Sequence, residues 1–234
     1  MTPNPVVVIT GATKGIGLAL TERFAPAASQ LHLVARSHED LAALAARLKR
    51  PGLEVCTYAC DLSDKDQTKR LVTALTAALE QLDVLINNAG LYLPGEVVSE
   101  PDANLEYMMR LNVFAQYYLT RGLVDRMAGH GHVFAMASVA SRKMFADKPS
   151  YSITKHAQLA LTDALRTELH PQGIRVTAIL PGPTWSASWE GADFPTDRLL
   201  QAEHVAEMVW QVWNLPQGAV VEELVIRPQL GDLD

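Results

Sequence analysis

Cysteine is scarce in this chain. There are two, Cys56 and Cys60, in 234 residues, both in one predicted strand and its exit. A metal would want more ligands, and a disulfide is uncommon in a reducing compartment, so they read as packing residues. Runs of basic residues are absent, and a formal net charge of −6 argues against a general affinity for nucleic acid. No apolar window approaches the length of a membrane span, and Met1 to Pro5 lacks the basic flank and apolar stretch of a signal peptide. The expectation is a cytoplasmic protein with no membrane partner. Internal repeats, low-complexity tracts and linkers are also missing. His130 and His132 flank a glycine, while His156 and His204 fall on predicted helices without an acidic partner at ligand spacing, so no metal site is expected.

What is present is ordinary for a globular enzyme: 48% apolar and 20% charged residues. The length suits one well-buried α/β domain and is short for two, so residues 1–234 read as one domain. Apolar runs bounded by turn residues recur at Val6 to Thr10, Leu31 to Ala35, Leu53 to Tyr58, Val84 to Ile86, Val133 to Ala137, Val176 to Leu180 and Val220 to Ile226. Runs of this kind suit strands buried on both faces. Helical patterns lie between them at Leu18 to Pro26, Asp40 to Leu48, Gln67 to Glu80, Asn104 to Met127, Tyr151 to His170 and Glu203 to Trp213. Strand then helix, repeated, means a parallel sheet with right-handed crossovers, covered on both sides.

The first strand runs straight into Thr10-Gly11-Ala12-Thr13-Lys14-Gly15-Ile16-Gly17. A glycine turn at a helix start lets backbone N–H groups reach a phosphate, where the helix dipole also favours negative charge. The predicted ligand is a pyrophosphate. The spacing of Gly11, Gly15 and Gly17 is G-x-x-x-G-x-G, unlike the common dinucleotide fingerprint G-x-G-x-x-G or the mononucleotide P-loop. In a sheet of this kind the ligand sits beyond the carboxyl ends of the strands, and the remaining motifs fall at those ends. After the second strand, Ala35 brings no carboxylate to a ribose, whereas Arg36, ahead of Ser37, joins Lys14 in supplying two cations. That pattern predicts a 2′-phosphate and hence NADP(H). Asp61-Leu62 follows the third strand, and Asn87-Asn88-Ala89-Gly90 the fourth. An aspartate there can simply cap a helix, while the asparagine amides can tie neighbouring loops together under the cofactor.

Ser138 closes the fifth strand, Tyr151 lies thirteen residues on and Lys155 four beyond that, so Tyr151 and Lys155 project from one helix face. With these residues the chain resembles the short-chain dehydrogenase/reductase family in its single-domain branch. Thr10 to Gly17, Asp61, Asn87 to Gly90, Asn112, Ser138, Tyr151, Lys155 and Pro181-Gly182 stand in the family's order and spacing. The resemblance implies a doubly wound, Rossmann-type α/β fold with a seven-stranded parallel sheet, a nicotinamide cofactor and a Ser-Tyr-Lys site completed by an asparagine. Reducing a ketone by hydride transfer puts negative charge on oxygen, so the site needs a proton donor and a group that polarises the carbonyl. Tyr151 is the candidate acid. A free phenol titrates near about 10, and a nearby cation, Lys155, is expected to lower it. By resemblance Lys155 also holds the nicotinamide ribose, Ser138 bonds the substrate oxygen, and Asn112 holds a water that relays protons to Lys155. The implied cofactor contacts are Gly11, Thr13, Lys14, Gly15, Ile16, Gly17, Arg36, Ser37, Asp61, Leu62, Asn88, Ala89, Gly90, Tyr151, Lys155, Pro181 and Gly182. The family's usual threonine after Pro-Gly is replaced by Ser186, with Thr184 arriving early, and either could contact the nicotinamide or diphosphate.

Leu91 to Leu93, Met144, Phe145, Trp185, Trp189 and Phe194 fall in segments expected at the catalytic face, where loops carry specificity. They predict an apolar, aromatic pocket for a small-molecule carbonyl. The tail from Val220 to Pro228, with Gly231-Asp232, is similar to that of bacterial sepiapterin reductase-like members, which suggests a pterin. A 3-ketoacyl-carrier-protein reductase and a non-catalytic NADP(H)-binding sensor are the alternatives. The family also implies a homodimer or homotetramer built through two long helices.

Overall fold

The computed structural model describes residues 4–127, 129–185 and 198–231. Ser186, Trp189, Phe194 and Asp232, singled out above, lie outside the described residues. The strands are β1 (Val6–Thr10), β2 (Gln30–Ala35), β3 (Glu54–Ala59), β4 (Val84–Asn87), β5 (His132–Met136), β6 (Arg175–Pro181) and β7 (Glu223–Ile226). They form one sheet in the order β3-β2-β1-β4-β5-β6-β7 with every neighbouring pair parallel. The helices are α1 (Gly15–Phe24), α2 (His38–Leu48), α3 (Lys65–Ala78), α4 (Ala103–Met109), α5 (Ala115–Leu123), α6 (Pro149–Leu169) and α7 (Ala202–Trp213). This is the doubly wound, Rossmann-type α/β fold.

Alternation along each strand explains the two layers. Val7 and Ile9 of β1 pack with Leu20 and Phe24 of α1 and with Val205 and Val209 of α7. Their neighbours Val6 and Val8 pack on the other face with Leu71 and Leu75 of α3, Leu119 and Leu123 of α5, and Leu165 of α6. A strand buried on both faces needs apolar residues at every position, and β1 has them. The chain runs outward from β1 to β3 and then returns to β4 on the opposite side of β1. Strand order therefore reverses between β1 and β4, and a crevice opens beyond their carboxyl ends.

The boundaries depart from the sequence reading where tertiary contacts take over. The helix expected over Leu18 to Pro26 begins at Gly15, because the glycine turn is itself its first turn. The strand expected from Val220 is regular only over Glu223–Ile226; just before it the Glu222 carbonyl accepts the Ala178 amide at 2.9 Å and the Val221 carbonyl accepts the Thr177 hydroxyl at 2.6 Å. The single helix expected over Asn104 to Met127 is broken into α4, a π turn at Arg110–Phe114, α5 and a 3₁₀ turn at Val124–Arg126. Asn112 lies in that π turn, and π turns inside helices recur at functional sites.

His130 pairs with the buried Asp83 at 3.3 Å, and His132 bonds Thr177 at 2.7 Å. Among the described residues no group of three or more His, Cys, Asp or Glu side chains could hold a metal ion. Cys56 and Cys60 are free, and burial pushes the Cys60 thiol up to about 11. Among the described residues no helix is long and apolar enough to cross a membrane.

Candidate active site

The glycine turn forms a cradle at the β1/β4 crevice. Gly11 and Gly15 have φ of 66° and 50°, a region L side chains seldom adopt. Gly17 is required for a different reason: a Cβ there would stand 1.9 Å from the Gly11 carbonyl oxygen and 2.5 Å from Asn88 Nδ2. The first turn of α1 carries neither a side-chain cap nor an acidic residue. Its N–H groups and the positive end of its dipole thus face the crevice. Asn88 ties the two loops together: its Nδ2 donates to Thr10 O at 2.8 Å and to Gly11 O at 3.3 Å. The Thr10 hydroxyl accepts the amides of Asn88 and Ala89, each at 2.9 Å. Asn87 does something else. It is buried and donates to Thr120 of α5 at 3.2 Å, so only the second asparagine of the pair braces the turn.

At the end of β2, Arg36 is exposed and Ser37 caps α2 by accepting the Asp40 amide at 3.0 Å. Lys14 reaches the same corner and pairs with Asp40 at 3.7 Å. Both partners are substantially exposed, so the pair is weak and leaves Lys14 available to an anion. Asp61 does not cap α3. That role belongs to Asp64, whose Oδ1 accepts the amides of Asp66 and Gln67, while Asp61 Oδ1 accepts from the amide and hydroxyl of Ser63. Leu62 beside it is buried. Beyond β6, the Thr184 hydroxyl is turned back onto Gly182 O at 2.9 Å, and the Gly182 amide donates to Ile226 O at 2.7 Å.

Ser138, Tyr151 and Lys155 come together between the end of β5 and the start of α6. Pro149 opens α6, and Tyr151 stands in its first turn. Ser138 caps the 3₁₀ turn Val139–Ser141, accepting the Ala140 amide at 3.1 Å, and its side chain is close enough to Tyr151 to favour the ionised phenol. Lys155 is 5% exposed and donates from Nζ to Met136 O at 2.9 Å and to Gln158 Oε1 at 2.8 Å. Its Nζ lies 5.7 Å from the centroid of the Tyr151 ring. Asn112 grips the loop after β4, accepting the Leu91 amide at 2.8 Å and donating to Leu91 O and Thr154 Oγ1, each at 3.0 Å. Asn112 makes these bonds rather than a direct one to Lys155. A Cβ on Gly90 would sit 3.3 Å from Asn112 Oδ1 and 3.7 Å from Lys155 Nζ, which marks how closely that loop, the π turn and α6 converge.

Burial drives the titration of the pair. It pulls the Lys155 ammonium down from its ordinary 10.5 to about 7. The Tyr151 phenol stands above its ordinary value, raised first by burial and opposed by the Ser138 side chain, with Tyr92 adding a smaller upward push. That reverses the direction expected above for Tyr151. The reason is geometric: the ammonium is bonded to Met136 O and Gln158, while the phenol is enclosed.

Of the expected substrate face, Tyr92, Met144, Phe145 and Trp185 are among the described residues. Phe145 lies under the ammonium groups of Lys143 and Lys148, each 5.0 Å from its ring centroid, and Met144 is 53% exposed. Trp185 lines a cavity of about 220 Å³ with Gly15, Leu18 and Ala19 of α1 and the start of α7. It therefore stands against the glycine turn. The sequence counted Tyr92 only as part of an apolar lining, yet its ring meets Tyr151 edge-on with centroids 5.5 Å apart. Gln158 was missed altogether. A polar residue three positions after Lys155, on the core side of an amphipathic helix, was the available signal.

A family model described as short chain dehydrogenase matches residues 5–193. The chain belongs to that family and is an oxidoreductase. It is 31% identical to a sepiapterin reductase of Chlorobaculum tepidum over 97% of this chain and 98% of that one. Among solved structures, L-sorbose reductase from Gluconobacter frateurii, complexed with NADPH and L-sorbose, superimposes with a TM-score of 0.89 at 26% identity, covering 97% of this chain and 96% of that one. A metagenomic short-chain oxidoreductase in complex with NADP gives a TM-score of 0.84 at 28% identity, over 97% and 98%.

Proposed function

We propose that this protein is an NADPH-dependent reductase that converts a small ketone or other carbonyl compound to the alcohol, with Tyr151 as general acid. The observation that carries the reading is the convergence of Ser138, Tyr151 and Lys155 beside the glycine cradle of β1 and α1. The residues present fit a dinucleotide. Gly11 and Gly17 leave a surface that a Cβ would fill, α1 offers uncapped amides for the pyrophosphate, and Lys14 and Arg36 stand where a 2′-phosphate would lie. The nicotinamide would supply the hydride.

The chain's own residues do the rest. The Ser138 hydroxyl bonds the carbonyl oxygen and Tyr151 gives it a proton. Lys155 would hold the nicotinamide ribose hydroxyls, and Asn112 fixes the loop through Gly90 and Leu91 beside it. Asn112 also lines a cavity of about 10 Å³ with Asn87, Gln116 and Gln158, room for about one water on a relay toward Lys155. Tyr92 and Phe145 favour a planar, aromatic carbonyl. A pterin is the first substrate to try, in keeping with the sepiapterin reductase relative. Thr184 or Ser186, the latter outside the described residues, would contact the nicotinamide, and the protein works in the cytoplasm as a homodimer or homotetramer.

The test is loss of 340 nm absorbance by NADPH, and separately NADH, against sepiapterin, diketones, quinones, aromatic aldehydes and a ketoacyl thioester. NADPH turnover on one class is expected. NADPH binding without turnover on any of them would replace this reading with that of a sensor. Cofactor choice has its own test: Ala35→Asp adds a carboxylate next to Arg36 at the end of β2, and should lower NADPH preference over NADH by about 10-fold or more. An unchanged preference in kcat/KM would show that the ribose lies elsewhere.

A further inference from the structure

Behind the Lys155 ammonium lies a chain of buried amides. Lys155, Gln158 and Thr162 fall at i, i+3 and i+7 on the inner face of α6, opposite Gln116 of α5. Each of the three neutral members is 2% exposed or less. Amphipathic packing calls for aliphatic side chains at such positions, and a buried amide network is worse than an apolar core unless every member is satisfied.

Here the bonds impose a direction. The Thr162 hydroxyl gives its only hydrogen to the Gln158 backbone carbonyl at 2.8 Å, so toward Gln116 it can only accept. It accepts Gln116 Nε2 at 3.1 Å, which leaves Gln116 Oε1 to accept Gln158 Nε2 at 3.0 Å. Gln158 must then present its oxygen, and that oxygen meets Lys155 Nζ at 2.8 Å. A flipped Gln158 would set an NH₂ group against an ammonium and break the bond to Gln116 as well.

We infer that Gln158 is a positioning residue: oriented from α5 through Gln116 and Thr162, it fixes Lys155 Nζ beside Tyr151 and holds the lysine in its ammonium form. The inference rests on the carbonyl-reductase reading for its consequence in turnover. Its physical content is independent of substrate.

The groups around Lys155 leave Gln158 a large share of this work. From α6 the titratable neighbour is Tyr151, with Tyr92 of the loop after β4 standing behind it. From the end of β5 come the Met136 carbonyl and Ser138, and from the π turn and α5 the neutral amides of Asn112 and Gln116. Among the described residues no carboxylate contributes to the titration of Lys155, which burial alone lowers to about 7. An oxygen acceptor favours the charged form, and a carboxylate in its place would favour it more.

The experiment measures the titration midpoint of Lys155 in the free protein by NMR of labelled lysine, assigned through its loss in Lys155→Arg, for wild type, Gln158→Leu and Gln158→Glu. It also records the pH profile of kcat/KM for NADPH-dependent reduction. Lys155 is charged below its midpoint and neutral above, so a lower midpoint moves the alkaline limb of the profile toward acid. Gln158→Leu is expected to lower the midpoint by about 1 pH unit and Gln158→Glu to raise it by at least about 1, each with a matching displacement of the limb. A purely structural glutamine would cost stability in both variants without shifting them in opposite directions. Unmoved midpoints, or midpoints moving the same way, overturn the proposal. Should Gln158→Leu not fold, the upward shift in Gln158→Glu decides it. Opposite shifts in a protein that reduces none of the carbonyls would uphold the role of Gln158 and reject the reductase reading. Normal turnover with unmoved midpoints would do the reverse.

Discussion

Replacing Tyr151 by phenylalanine is expected to lower kcat for carbonyl reduction by about 10²–10⁴-fold, the usual contribution of a positioned acid. NADPH affinity should stay within a few-fold of wild type. The substitution removes one oxygen and keeps the ring, so the edge-on contact with Tyr92 and the packing over Lys155 survive. What disappears is the phenolic hydroxyl, the proposed proton donor, and with it the interaction with Ser138. Ser138 retains the Ala140 amide as a partner, so the 3₁₀ turn after β5 should hold its shape. Steady-state kinetics with NADPH, paired with a fluorescence titration of NADPH binding, separates the two effects. A variant that kept more than a tenth of wild-type kcat would strip Tyr151 of the role of acid.

The second large effect is expected at Gly17→Ala. In most helix interiors this exchange stabilises by about 0.5–1 kcal/mol, because glycine gives up more backbone freedom on folding. Here the sign reverses. The new methyl would meet the Gly11 carbonyl oxygen at 1.9 Å and Asn88 Nδ2 at 2.5 Å, and the first of these is backbone that cannot step aside. Relief requires α1 to move off the turn or the Asn88 bonds to break, and forced overpacking of this kind costs about 1–3 kcal/mol. Because the displaced atoms form the proposed phosphate cradle, the loss should appear as NADPH affinity lowered about 10- to 100-fold, together with a lower Tm. Calorimetric titration and a thermal melt measure both. Wild-type affinity and Tm would mean that the turn and α1 are less tightly docked than the geometry requires.

Both effects depend on residues that local pattern could identify without showing what they touch. The spacing of Gly11, Gly15 and Gly17 after Val6 to Thr10 carries the turn, because only a few residue types tolerate its backbone and the requirement is local. Of the atoms a Cβ at Gly17 would meet, Gly11 O lies within the turn itself, but Asn88 Nδ2 comes from seventy-one residues away, and no local pattern reports it. Asn87 and Asn88 are adjacent and chemically identical, yet one faces α5 and the other the glycine turn. Successive residues of a strand point to opposite faces, and which face carries the ligand depends on the whole sheet.

The same division holds across the protein. Strand-helix alternation, the two-faced apolar strands and the i, i+4 placement of Tyr151 and Lys155 were legible from the chain, since each follows from periodicity within a few turns of backbone. Tertiary structure alone decided that the helix predicted over Asn104 to Met127 gives way to a π turn at Asn112, where the amide holds Leu91 and Thr154. It also set Tyr92 on Tyr151 and turned Gln158 toward Lys155. These features are contacts between segments far apart in sequence, and their energy depends on burial and on who satisfies each polar group. That is why the sequence determined the scaffold and the candidate side chains of the site, whereas the directions in which Lys155 and Tyr151 shift from their ordinary titration follow only from the burial that folding creates around them.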